Sequence, residues 1–131
     1  MAYEVTSGPL TLVSSTGITR HRFVAFTSGK VTYPAVGALA TMVTVSKGTT
    51  GSTEDGQFVS CIPLSNCSAV MVEAAGSTLS AGDLVSASSR GKIVAGSSDV
   101  WILGQIISGS SGSTGRILTI VPISGSPSTG V

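Results

Sequence analysis

Asp83, Arg90 and Lys92 stand close together in LSAGDLVSASSRGKIVAG (79–96), a stretch with the cadence of a hairpin. An acid with two cations can serve a ligand, and a lysine beside a turn glycine can carry a prosthetic group. The structural reading is that Asp83, after Gly82 at a strand start, satisfies free N–H groups of the turn. His21 is the single histidine and lies between Arg20 and Arg22. Nucleophilic catalysis needs a base within reach of an activated Ser or Cys and held by an orienting group. Two flanking cations depress the pKa of such a base, so RHR reads as a surface cluster at a hairpin entry, suited to an acidic partner. Cys61 and Cys67 sit in CIPLSNC, and zinc needs about four soft ligands that this chain does not offer nearby. They read as buried free thiols; a bridge across a strand-turn-strand is geometrically open, and synthesis in the cytoplasm argues against it. Glu54 and Asp55 are adjacent acids in the polar stretch SKGTTGSTEDGQ (46–57), which reads as a solvated loop. No phosphate-binding fingerprint is present: SGSSGSTG (108–115) lacks the strand-glycine-helix context. No catalytic, cofactor-binding or metal-binding residue is therefore assigned.

The elements that must hold these residues are strands. Apolar residues come in short runs rich in Val and Ile that end in Gly, Ser, Pro or Asn, and helical periodicity is absent. Candidate strands are LTLVS (10–14), RFVAFT (22–27), KVTY (30–33), ATMVTVS (40–46), GQFVSCIP (56–63), AVMVEA (69–74), DLVSAS (83–88), KIVA (92–95), VWILGQIIS (100–108) and GRILTIVP (115–122). The expected fold is all-β, a small barrel or sandwich. VWILGQII is apolar on both faces and so needs cover from both sides. That cover comes either from its own fold or from another subunit, with Trp101, Ile102 and Ile106 the candidates for a contact between subunits.

At 131 residues the chain fits one domain with a core of its own. Charged residues make only 10% and aromatics 5%, while Gly alone numbers 17, a bias found in turn-rich β-proteins and in surfaces covered by assembly. A net charge of +1 provides no field for nucleic acid or an anionic membrane. No secretory signal or membrane span is evident, so synthesis in the cytoplasm is expected.

ITRHRFVAFTSGKVT (18–32) aligns with LSAGDLVSASSRGKIV (79–94), matching Ile18 to Leu79, Phe23 and Val24 to Leu84 and Val85, and Gly29 and Lys30 to Gly91 and Lys92. STEDGQFVSC (52–61) resembles SGSTGRILTI (111–120). Two hairpin-rich pseudo-repeats, about 18–61 and 79–121, are expected within a single β-domain over 17–123. Residues 1–16 read as an extended arm and 124–131 as a flexible tail.

The span from Ile18 to Val121 resembles the small head-decoration, or capsid cement, proteins of tailed bacteriophages. The likeness rests on ITRHRFV, the Gly29-Lys30-Val31 turn, VEAAGSTLSAGDLV (72–85), RGKIV, ILGQII and the closing RILTIVP. It implies a non-enzymatic protein on the outer capsid surface of the virion, commonly a homotrimer, that fastens neighbouring major capsid protein subunits. Tyr3, Val5, Leu10 and Leu12 of the arm are then candidates to add a strand to a capsid sheet edge, with Arg20 and Arg22 beside them. Two rival readings stand alongside: a virion-surface β-domain that binds host glycans, and, because residues 72–92 resemble the hammerhead of lipoyl and biotinyl carrier domains, a carrier with Lys92 at a hairpin tip.

Overall fold

The structure is a computed structural model of the chain and describes residues 9–14, 18–45, 57–76, 78–97, 99–109 and 115–123. All ten candidate strands form: β1 (Leu10–Ser14), β2 (Phe23–Thr27), β3 (Lys30–Thr32), β4 (Met42–Thr44), β5 (Gln57–Pro63), β6 (Val70–Glu73), β7 (Leu84–Ala87), β8 (Ile93–Ala95), β9 (Gly104–Ser108) and β10 (Ile117–Pro122). Only two short 3-10 turns, Leu64–Asn66 and Ser89–Gly91, accompany them among the described residues. The all-β expectation holds.

The strands form a closed barrel, β1-β3-β2-β4-β5, and a second five-stranded sheet, β6-β10-β9-β7-β8. Read from β3 and from β8, the two orders are the same, with each strand of the first half matched by the strand five places later. The registers match too. Leu12 opposite Val59 corresponds to Val72 opposite Leu118, Phe26 opposite Val31 to Ala87 opposite Ile93, and Met42 opposite Pro63 to Gly104 opposite Pro122. The parallel pair that closes the barrel, Ser14 with Val31, recurs as the isolated parallel bridge of Ala74 with Ile93; that single bridge brings the end of β6 to β8, so the second sheet curls into a barrel-like counterpart, the second barrel. Strand pairing fixes which face each side chain takes, so two copies with one register place equivalent residues in equivalent environments.

The duplication corrects two boundaries. Each unit begins one strand before the expected 18–61 and 79–121, spanning 10–63 and 70–122. The second half of the expected arm is also no arm: β1 is the closing strand of the first barrel, antiparallel to β5 along its whole length, and holds the place that β6 holds in the second. Its backbone groups are spent inside the molecule, so Leu10 and Leu12 are barrel residues, Leu12 packing against the interior. Tyr3, Val5 and the tail 124–131 lie outside the described residues.

The first barrel encloses Ile18, Val24, Val31, Met42, Val59 and Cys61. The larger cluster fills the second barrel with residues such as Val72, Val85, Ile93, Ile106, Leu118 and Ile120, yet it also contains Phe23, Ala40 and Val43 of the first. One barrel thus stoppers the other.

Candidate functional site

The charged residues meet at the seam between the barrels. His21 takes a left-handed backbone conformation, φ 63°, and its N–H donates to the Thr44 carbonyl at 3.0 Å. The Thr44 hydroxyl donates to the Thr19 carbonyl at 2.7 Å and accepts the Arg22 N–H at 3.0 Å. This kinked entry turns Arg22 inward, across the seam. Its Nη2 lies 3.2 Å from Glu73 Oε1 and its Nη1 donates to the Arg90 carbonyl at 3.1 Å, while its Nε is buried without a partner among the described residues. Lys92 Nζ sits 3.4 Å from the other oxygen, Glu73 Oε2. The Glu73 N–H donates to the His21 carbonyl at 2.9 Å.

The three side chains therefore form a tie between the repeats. Arg22 is 7% exposed, which removes it from the surface cluster expected of RHR. Arg20 remains outside, and His21 is half-buried, with its pKa lowered first by that burial and then by Arg20. A regular pleat would put residues 20 and 22 on one face; the left-handed His21 between them is what separates the two arginines. Lys92 is held by Glu73 rather than displayed at a hairpin tip, which is not the placement a swinging carrier lysine needs. Asp83 accepts the Ser80 N–H at 3.0 Å, the turn role expected of it.

The other predicted residues are also placed. Ile106 and Ile102 are buried within their own chain, Ile106 in the central cluster. Cover by the chain's own fold, one of the two kinds expected, accounts for Ile106: β9 buries its inner face in the central cluster, and Gln105 and Ile107 are its outward residues. Trp101 is half-buried and packs against the same cluster. Both cysteines are free. Burial raises the Cys61 thiol to about 11 and raises Cys67 as well, so neither is an activated nucleophile.

Among the described residues no group of three metal-ligating side chains converges. The surface features that sequence reasoning missed are apolar. On the outer face of β6, β10 and β9, Met71, Ile117, Val121 and Ile107 are all exposed around Thr119. They were hidden because the same short runs supply the inner face; only the strand register separates the two sets. Beside them a groove of about 410 Å³ runs along the seam, lined by Val45, Ile62, Met71 and Thr119 with Arg20 and His21 at its rim. A second, of about 380 Å³, is lined by Leu39, Leu64, Cys67, Leu103 and Ile123. Phe58 and Phe26 stand exposed on the first barrel. Such surfaces suit contact with other protein, not chemistry.

No family model and no curated protein matches the chain. Among solved structures it is similar to the head fiber gp8.5 N base of bacteriophage phi29, with a TM-score of 0.68 and 17% sequence identity over 88% of this chain and 95% of that one. Likeness at that identity is likeness of fold, and it extends over both barrels.

Proposed function

We propose that the chain is a non-enzymatic structural protein of a phage virion, bound to the outside of the head as a homotrimer and bridging neighbouring major capsid protein subunits. The observation that carries this reading is the near full-length architectural match to the base of a phage head fibre. Three features support it. Arg22, Glu73 and Lys92 are consumed in a tie between repeats. The thiols are protonated and sheltered. The exposed surface carries apolar residues on strands that leave the fold as rigid platforms, Met71, Ile107 and Ile117 foremost.

The mechanism is mass action. A protein that binds only the assembled, expanded shell lowers the free energy of that shell by its binding free energy and so opposes rupture by packaged DNA. Rigidity serves this end, because a prebuilt barrel loses little conformational entropy on docking. The test is co-sedimentation of purified protein with undecorated heads. Saturable binding to heads is the expected result; its absence, or binding confined to a glycan array, overturns the reading in favour of the glycan-binding rival.

A further inference from the structure

The contact between the barrels is heterologous: one face of the first repeat docks on a different face of the second. Phe23, Val43 and Arg22 supply the inserting half, and Glu73, Ala87 and Gly91 the receiving half. Because the repeats share one fold and register, each half exists twice. The second repeat has its own inserting face, with Asp83, Leu84 and Gln105 at the positions of Arg22, Phe23 and Val43. The first has its own receiving face, with Val13, Phe26 and Gly29 at the positions of Glu73, Ala87 and Gly91.

The receiving faces are built alike. Ser28 and Gly29 repeat the left-handed pair Arg90 and Gly91, with φ of 54° and 78° against 56° and 69°. Their occupancy differs. Among the described residues, the space where a Cβ of Gly91 would stand is filled by the Phe23 carbonyl oxygen, whereas nothing lies within 4 Å of the same point at Gly29. Phe26 is 50% exposed where Ala87 is fully buried. The inserting faces differ in the same sense: Val43 is buried and Gln105 exposed, with the Gln105 amide donating to the Gly82 carbonyl at 3.0 Å. That carbonyl is equivalent to His21 O, which takes the Glu73 N–H across the seam. Within the chain, an inserting arginine meets a receiving glutamate; the matched positions between chains hold Asp83 and Val13, so the contact between chains is without that ion pair.

We propose that a second copy of this chain docks its Asp83-Leu84-Gln105 face onto the Phe26-Gly29 end of the first barrel, using between chains the two faces whose counterparts meet within one. A heterologous contact closes into a ring or runs on as a filament; three copies closing would give a ring of six barrels. The inference specifies the contact of the trimer named under the proposed function, and it stands on the duplication, so it is tested away from any capsid.

The test is analytical ultracentrifugation of the full chain and of Phe26→Glu, which spoils the receiving face, and Gln105→Arg, which spoils the inserting face. Wild type is expected at three times the monomer mass and each variant as a folded monomer by circular dichroism. Mixed one to one, the two variants are expected to form a heterodimer and nothing larger, since each retains the face the other lacks. A wild-type chain that stays monomeric, variants that keep the wild-type mass, or folded variants that ignore each other would overturn the contact. Where either variant fails to fold, Phe26→Ser and Gln105→Ala replace them, each expected to weaken the trimer; folded variants that both keep the wild-type mass also overturn the contact. Head binding by a strictly monomeric chain would remove the ring and leave the virion role standing.

Discussion

The two barrels share strand order and register but not independence. The first holds a core made from its own residues, whereas the second draws Phe23, Ala40 and Val43 from its neighbour. The same position in the pleat is thereby used in two ways. Phe26 stands half-exposed on the first barrel, whereas at the equivalent site Ala87 is fully buried in the cluster that Phe23 joins from the first barrel. Small side chains at a receiving surface and large ones at an inserting surface turn two copies of one fold into an ordered pair.

Substitutions at matched positions sharpen or break this asymmetry. The largest difference is expected between Phe23→Ala and Phe26→Ala. Removing the buried ring should cost about 4 kcal/mol and removing the half-exposed one less than about 1 kcal/mol, read from urea denaturation; equal costs would mean that the barrels do not depend on each other as described. Gly91→Ala comes next, at about 3 kcal/mol, because its methyl meets a backbone oxygen that cannot yield. Gly29→Ala, in open space, should pay only the left-handed backbone penalty, about 1 kcal/mol. Glu73→Ala leaves Arg22 buried without its anion and is expected to cost about 3 kcal/mol. The equivalent Val13→Ala, at a half-buried site with no charge to orphan, should lose about 1 kcal/mol.

The smallest effect is a matter of pH. Cys61 occupies the place of Ile120 in the register, and its folded pKa of about 11 exceeds the ordinary 9.0. A raised pKa means that stability from the neutral thiol is fully present below pH 9 and is lost as the pH climbs from 9 to 11, since the unfolded chain ionises first. The expected loss is about 2 kcal/mol. It should vanish in Cys61→Ala, and a profile unchanged by that substitution would place its cause elsewhere.

Much of the fold was legible in the residues. Runs such as LTLVS and KIVA, cut by Gly, Ser and Pro, marked every strand, and the paired GK turns at 29–30 and 91–92 revealed the duplication. The partners of β1 were not legible, because strand pairing depends on register across long separations and the Ser- and Thr-rich flanks of LTLVS resemble an arm. Arg22 misled for a physical reason: three consecutive polar residues look like one solvated patch until a left-handed residue at 21 sends one of them into the seam. Exposed Met71 and Ile107 were equally hidden, since an apolar residue in a short strand declares its type but not its face.

The closing strands also set an order of events. Leu10 must await Cys61, and Val70 must await Ile120, before either ring of strands can shut, and pairings so distant along the chain make folding slow. Synthesis proceeds from the amino terminus, so the unit with the self-sufficient interior leaves the ribosome first and is available as a stopper when the dependent one emerges. A circular permutant that reverses the two halves keeps every contact of the finished molecule but deprives the nascent chain of that sequence, and its yield of soluble protein should fall.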